Sequence, residues 1–155
     1  MNIALTVAAL IVASPPANVG AYHPVTVVED DQEIRRAVGT KVDGTFVLGA
    51  REAEAPREVL ARYLDKELRY EKSTARVRTL RRVLASRFGY FWHCGGYTRP
   101  GGRYSFCTMV QGGIPGSNLR TKRFPEIFDG GTYVCRCHYS FRLDALFWLE
   151  CNGET

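Results

Sequence analysis

The stretch from Phe124 to Phe141, FPEIFDGGTYVCRCHYSF, holds the side chains of this chain best suited to chemistry. Cys135 and Cys137 stand one residue apart, and Arg136 and His138 alternate with them. Thiols and an imidazole this close together are consistent with metal ligands, with one end of a disulfide, or with the edge of an active site. The helices and strands that carry these residues distinguish between the three interpretations.

A metal site is the least favoured of the three. Structural zinc needs four ligands, usually in pairs that are spaced more widely than Cys135 and Cys137. No second pair with such spacing is present in the sequence. In a strand, successive side chains point to opposite faces, so His138 would lie across the sheet from both cysteines. We therefore predict no metal ion and no cofactor.

The alternation of side chains divides this stretch into two faces. One set predicts core contacts with a helix: Tyr133, Cys135, Cys137, Tyr139 and Phe141. The other set predicts a polar face: Val134, Arg136, His138 and Ser140. The cysteines are thus expected in the interior, and Arg136 and His138 are expected at the surface.

An active site for RNA cleavage needs a general base, a general acid and a cation. Arg136 and His138 supply two of these groups, and His93 supplies another from a neighbouring segment; Glu126 and Glu150 are further titratable candidates. Histidines satisfied at a protein surface are commoner, and we favour that interpretation. Nucleophilic cysteine chemistry is not indicated, because the cysteines are expected to be paired or to face the core.

The cysteine positions predict two cross-strand disulfides. All five cysteines lie in the C-terminal half. A turn centred on Pro100–Gly101 places Cys94 opposite Cys107, and a turn centred on the sequence RLD places Cys135 opposite Cys151. Directly paired strand residues are close enough to form a disulfide. One cysteine is left over, either as a buried free thiol or as a link between chains.

The N-terminus indicates a secreted protein. Its apolar run, IALTVAALIVAS, is shorter than the roughly 20 residues that a membrane-spanning helix needs. Val19 and Ala21 stand like the small residues before a cleavage site, although the preceding MN carries no basic residue. We predict a signal peptide over residues 1–21, cleaved near Ala21–Tyr22, with a buried N-terminal helix as the alternative. In an oxidising compartment the cysteines are expected to pair.

The remaining chain predicts helices first and strands later. The pattern VTVVEDDQEIRRAV predicts an extended start and a helical turn, and DGTFVLG predicts a short strand. Longer helices are predicted for APREVLARYLDKEL, with Pro56 in its first turn, and for STARVRTLRRVLASRF, capped by Ser73 or Thr74. After Gly89 the strand patterns are YFWHC, RYSFCTMVQ, LRTKRF, TYVCRCHYSF and ALFWLEC. The chain is therefore expected to be α+β, with N-terminal helices followed by an antiparallel sheet of about five strands.

Positive charge is concentrated on one predicted helix. The whole chain has a net charge of +5, which favours anionic partners. Four arginines fall on the outer face of the helix over residues 74–87: Arg76, Arg78, Arg81 and Arg82. Ordinary solvation is the commoner explanation of such a face, and electrostatic docking of a partner is the alternative.

A series of features in the C-terminal half carries a resemblance to a known family. Phe124-Pro125 ends a predicted strand, Gly130-Gly131 follows in a loop, and a strand around Arg136 and then Cys151 come next. In this order they resemble the guanyl-specific ribonuclease fold of microbes, and more closely the secreted ribonuclease-like effectors of fungal plant pathogens. The resemblance implies a ribonuclease-like domain over residues 68–155, preceded by an N-terminal extension.

The resemblance extends to the segment RYEK and the helix that follows it, over roughly residues 68–152. The effectors usually carry Tyr-x-Cys there, whereas Tyr70 of this chain is followed two positions later by Lys72. The extension implied before this domain comprises residues 22–67.

The same resemblance implies that the catalytic pair of the enzymes is missing. The catalytic glutamate of the family directly precedes the aromatic-proline pair, and that position holds Arg123. A guanidinium cation cannot act as a general base at neutral pH. The enzymes also carry a histidine on the last strand, and ALFWLEC has none. Arg136 matches the phosphate-stabilising arginine of the family.

We therefore predict a secreted, non-catalytic effector of a fungus that lives on a host, with no membrane span. It would bind a host protein or RNA, outside or inside host cells. The predicted binding surface comprises Arg76, Arg78, Arg81, Arg82, Trp92, Arg123, Arg136 and His138. Two alternatives stay open: an active secreted ribonuclease that uses His93, Arg136 and His138, and an antimicrobial or toxin-like secreted protein.

Overall fold

The computed structural model describes residues 23–39, 41–112, 121–126 and 133–152. The predicted signal peptide, its cleavage position and the Gly130-Gly131 loop lie outside these ranges. Helices and strands follow one another as β1 (Thr26–Val27), α1 (Asp31–Val38), β2 (Gly44–Phe46), α2 (Ala50–Tyr70), α3 (Thr74–Ser86), β3 (Tyr90–Arg99), β4 (Gly102–Gln111), β5 (Val134–Ser140) and β6 (Ala145–Cys151). This order confirms the predicted α+β class, with helices before the main sheet.

Short polar residues start α1 and α3. The Asp30 carboxylate accepts a hydrogen bond from the Glu33 amide at 2.9 Å, and the Ser73 hydroxyl accepts one from the Arg76 amide at 3.3 Å. Both bonds satisfy backbone donors that a helix start leaves without a partner. Of the two predicted caps for α3, Ser73 is therefore the one used.

Helix α2 begins earlier than its sequence pattern predicts. The prediction placed Pro56 in the first turn, but the helix starts at Ala50 and Pro56 lies inside it. The Glu52 carboxylate accepts from the Gly49 amide at 3.0 Å and stabilises the earlier start. Pro56 is buried, so its packing offsets the backbone hydrogen bond that proline cannot donate.

The strands of the described ranges form one mixed, mostly antiparallel sheet of six. Four of them, β3 to β6, follow one another as an antiparallel meander, and Pro100 and Gly101 turn the chain between β3 and β4. Strand β1 runs parallel to β3, and β2 pairs antiparallel with a different part of the same strand. Helix α2 is continuous across the predicted boundary at residue 67, and β1 and β2 pair with β3 of the main sheet.

The strand predicted for LRTKRF is absent from its described part. Residues 121–124 form bends and irregular backbone instead of pairing with the sheet. The physical reason lies in Glu33 of α1, whose carboxylate accepts the Phe124 amide hydrogen. That contact takes the backbone donor that a sheet partner would need, and it places the Phe124 ring against Phe106.

Each face of the sheet carries its own core. On one face, Leu60 and Leu64 of α2 and Leu80 of α3 pack with the cysteines. On the other face, Ile34 of α1 packs with a cluster of rings: Tyr97, Phe106 and Phe124. A Cβ atom on Gly95 would lie only 2.7 Å from Cγ1 of Ile34, so α1 approaches the sheet closely only because residue 95 is glycine.

All five cysteines lie in the core beneath α2 and α3. The predicted pairs are confirmed, because disulfides join Cys94 to Cys107 and Cys135 to Cys151. Cys137 is a buried free thiol opposite Cys107. Burial raises the pKa of the Cys137 thiol well above its usual range, so the thiol stays protonated and unreactive. Two disulfides in so small a chain are consistent with an extracellular protein.

Within the described ranges, none of the helices combines the length and the apolar character that crossing a membrane requires.

Candidate functional site

His138 was predicted on an exposed polar face, but it is enclosed by aromatic side chains. Its Nδ1 lies 2.7 Å from the Tyr97 hydroxyl. The rings of Phe106, Phe147 and Trp148 surround it, with centroids between 5.1 and 5.6 Å from the imidazole. His138 is half-buried and not exposed, because rings on β3, β4 and β6 pack around it, which alternation within β5 cannot reveal.

This enclosure changes how the imidazole titrates. Burial, with a smaller contribution from the nearby Arg99 cation, lowers the pKa of His138 to about 4. Burial also raises the pKa of Tyr97 to about 12, so its hydroxyl is protonated and can donate to an unprotonated Nδ1. At neutral pH His138 is therefore a neutral hydrogen-bonding group in the protein interior. It does not carry the proton that a general acid must donate.

His93 and Arg136 share the same sheet face but not the same exposure. Thr108 stands between them in the cross-strand row, and Glu150 follows Arg136. His93 has no exposed surface, whereas Arg136 is exposed. The structure thus brings the three residues of the ribonuclease alternative to one face, and Arg136 alone among them reaches solvent freely.

Arg136 lines a cleft of about 370 Å³ between α1 and the sheet. Other polar groups in this cleft include Arg36, Glu33 and Glu126. Arg36 lies 3.8 Å from Glu126, and Arg123 lies 3.9 Å from the carboxylate of Glu33. Carboxylates therefore offset the positive charge on this side of the molecule, and Glu126 itself is engaged by Arg36.

The α3 arginines differ in how they are used. The Arg76 guanidinium donates to the backbone oxygen of Leu149 at 2.6 Å, so this residue ties α3 to β6. Arg78, Arg81 and Arg82 are exposed, and α3 contains no acidic residue. Neither Arg78 nor Arg81 pairs with a carboxylate of the described ranges. We call these three exposed arginines the α3 basic face.

The residues predicted as one binding surface lie on opposite sides of the sheet. Helix α3 packs on the cysteine side, whereas Arg123 and Arg136 belong to the α1 side. Trp92 has no exposed surface and lies in the core beneath α2 and α3, so it cannot stack on a ligand as predicted. The basic helix and the strand residues therefore cannot contact one flat partner together.

The turns at one end of the sheet form a further cleft that sequence reasoning missed. We call it the turn-end cleft; its main lining residues are Tyr97, Arg99, Tyr104, Ser140, Arg142 and Phe147. The disulfide between Cys94 and Cys107 fixes the register of β3 and β4, and this register places Tyr97 opposite Tyr104. The pairing of β4 with β5, which adds Ser140 and the following turn, has no local signal in the sequence.

No arrangement for a metal ion is found in the parts of the chain that the structure describes. Within them, histidine, cysteine, aspartate and glutamate side chains nowhere assemble in groups of three or more that could hold one.

Comparisons with known proteins return no match for this chain. This holds for protein-family models, for curated proteins and for solved structures. The resemblance to the ribonuclease-like effectors of fungi therefore remains a prediction that rests on the residues quoted above.

Proposed function

We propose that this protein is a secreted, non-catalytic binding protein that holds RNA through the α3 basic face. In the setting that the sequence resemblance implies, it is an effector of a host-dwelling fungus. The observation that carries the non-catalytic part is the environment of His138. With a pKa of about 4, this imidazole is not the protonated acid at pH 7 and is a weak base, and its Nδ1 is already engaged by the Tyr97 hydroxyl, which argues against a catalytic role.

The ribonuclease alternative assigns proton transfer first to the predicted trio. His93 is fully buried, and His138 is hydrogen-bonded to Tyr97. Arg136 is a cation and supplies charge stabilisation without a base or an acid. In the ribonuclease family that the sequence resembles, the catalytic base is a glutamate. The matching position in this chain holds Arg123, which lies near Glu33. This distribution supports binding without cleavage.

RNA is favoured as the partner by the composition of the α3 basic face. Arg78, Arg81 and Arg82 follow the spacing of neighbours on one helix face, without an interspersed carboxylate. Arginine forks pair with phosphate oxygens in a bidentate manner. Phe88, which is exposed and lies under the Arg87 guanidinium at 4.3 Å, adds a ring next to this face. A run of cations beside a ring suits a phosphate backbone with unstacked bases.

The test measures binding of a fluorescein-labelled single-stranded RNA at several salt concentrations. For single strands the logarithm of affinity falls with the logarithm of salt by about 0.7 per phosphate contact. The triple variant Arg78→Gln, Arg81→Gln, Arg82→Gln is therefore expected to bind more weakly and with a slope shallower by about 2.

A matched control removes the same charge from the other side of the sheet. Arg36, Lys122 and Arg123 each lie within 4 Å of a carboxylate, and their change to glutamine is expected to leave the slope nearly unchanged. Equal losses in both triple variants would contradict an RNA site on α3. RNA cleavage that disappears in His138→Ala would instead support the ribonuclease alternative, and growth inhibition of microbes would support the antimicrobial one.

A further inference from the structure

The turn-end cleft is a concave site at the end of the sheet opposite the start of β5. Its volume is about 340 Å³, which falls at the lower end of the roughly 300–1,000 Å³ typical of small-molecule sites. Tyr97 forms its floor and stacks on Tyr104, with ring centroids 5.4 Å apart. Gly101 lines the rim with φ of +104°, a backbone conformation that glycine adopts readily.

A β-bulge directs Phe147 into this cleft. His138 pairs with Trp148 and the next residue, Tyr139, pairs with Leu146, so Phe147 is an extra residue in β6. The extra residue turns its ring toward the same face as His138, where the two rings lie 5.6 Å apart. Bulges of this kind re-aim a side chain and are frequent beside functional sites. Phe147 is 48% exposed, so one surface of its ring remains open to a ligand.

The charged side chains that line the turn-end cleft are all positive. Arg99 and Arg142 line it, and no carboxylate of the described ranges does. The Arg99 guanidinium lies over the Tyr97 ring at 5.2 Å, and its buried Nε has no hydrogen-bond partner among the described residues. The other nitrogens of the Arg99 guanidinium can pair with an anion in the cleft. The α1 cleft around Arg136 differs in this respect, because glutamates line it.

A second cleft adjoins the turn-end cleft on the side of α2. It has a volume of about 450 Å³ and shares Leu143 and Phe147 with the turn-end cleft. Lys66 of α2 lines it and is exposed, whereas Arg62 is engaged by Asp144 at 3.3 Å. A chain that leaves the turn-end cleft across the Phe147 ring therefore meets Lys66, with Glu67 in the same lining.

We propose that the turn-end cleft binds one nucleotide of single-stranded RNA. The base stacks on the exposed face of Phe147, and the phosphate is held by Arg99 and Arg142. The strand continues across Phe147 toward Lys66. The inference rests on the proposed function, because it assigns a second contact with the same RNA partner. Aromatic rings for the base beside cations for the phosphate are the combination that single-strand binding requires.

The test uses adenosine 5′-monophosphate, adenosine and inorganic phosphate as separate probes of the intact protein. Titration calorimetry is expected to show that adenosine 5′-monophosphate binds more tightly than adenosine or inorganic phosphate. Phe147→Leu keeps an apolar side chain and is expected to weaken nucleotide binding at least about fivefold, through lost stacking. Arg142→Gln is expected to abolish the advantage of the nucleotide over adenosine. Tyr133→Leu and Arg51→Gln alter an exposed ring and an exposed cation elsewhere and are expected to bind as the unaltered protein does.

The outcomes separate this inference from the proposed function. Salt-dependent RNA binding that depends on the α3 basic face, with no effect of Phe147→Leu on RNA or nucleotide, would overturn the cleft and leave the proposed function standing. Nucleotide binding that depends on Phe147, with no RNA binding at any salt concentration, would support the cleft and refute RNA as the partner. Tighter binding of a phosphotyrosine peptide than of the nucleotide would overturn the assignment of a nucleotide.

Discussion

Acidification from pH 7 to pH 4 is expected to destabilise this protein through His138. The folded pKa of His138 is about 4, against 6.5 for an unperturbed histidine, which represents the unfolded chain. Between these two values the unfolded state holds the additional proton. The free energy of unfolding therefore falls as the pH falls through this window, and the contribution is fully present above the unfolded pKa.

The magnitude follows from the size of the shift. One pKa unit corresponds to about 1.4 kcal/mol, so the lowering of the pKa of His138 represents a loss of about 3 kcal/mol by pH 4. The neighbouring groups oppose protonation, because Arg99 is a cation and the Tyr97 hydroxyl is not an anion at these pH values. A loss of this size is a large fraction of the roughly 5–15 kcal/mol that stabilises an ordinary domain.

The assay is urea unfolding at a series of pH values from 7 to 4, with the disulfides intact. His138→Gln removes the titration but retains an amide that can hydrogen-bond to Tyr97. The stability advantage of the unaltered protein over this variant is expected to shrink by about 3 kcal/mol across the window.

Parallel stability curves for the unaltered protein and His138→Gln would refute the reasoning. They would mean that the imidazole gains its proton as easily in the folded state as in the unfolded state. Such a histidine would reach solvent, and it would again qualify as the general acid of a ribonuclease.

Three further predictions concern the core. Gly95→Ala is expected to destabilise the fold by about 1–3 kcal/mol in urea unfolding, because the new methyl group would overlap Ile34. Cys137 is expected to resist alkylation in the native state and to react with one equivalent of iodoacetamide in urea without reductant, as mass spectrometry would show. Glu33→Gln is expected to cost about 1–3 kcal/mol, because the charge-assisted bond from the Phe124 amide is weakened.

Each of these three predictions has a matched control variant or an outcome that would contradict it. Gly89→Ala meets no atom within 4 Å, and a loss as large as that of Gly95→Ala would contradict close packing of α1. Rapid labelling of Cys137 in the native protein would show that the thiol is not buried. Glu126→Gln changes an exposed carboxylate, so an effect equal to that of Glu33→Gln would refute the special role of the buried one.

The local sequence was sufficient for the features that depend on neighbouring residues. The cap at Ser73 is a short-range interaction, and the apolar stripe of α3 repeats within one helix. The two disulfides follow from tight turns, which fix the register of the strands on either side. Alternation correctly predicted that Cys135 and Cys137 face the core.

The features that failed depend on contacts between distant parts of the chain. His138 is half-buried because rings of β3, β4 and β6 pack around it. Phe124 lies outside the sheet because Glu33, far away in sequence, accepts its amide hydrogen. The turn-end cleft requires the pairing of β4 with β5 and the bulge at Phe147. None of these has a signal within the segment that it affects.

The central claim is that the protein binds RNA and leaves it intact. The most direct measurement incubates the disulfide-intact protein with end-labelled single-stranded RNA and divides the sample between a native and a denaturing gel. The account predicts a shifted band on the native gel, weaker at higher salt, and full-length RNA on the denaturing gel. Shortened RNA whose formation requires His138, or no shifted band at low salt, would contradict it.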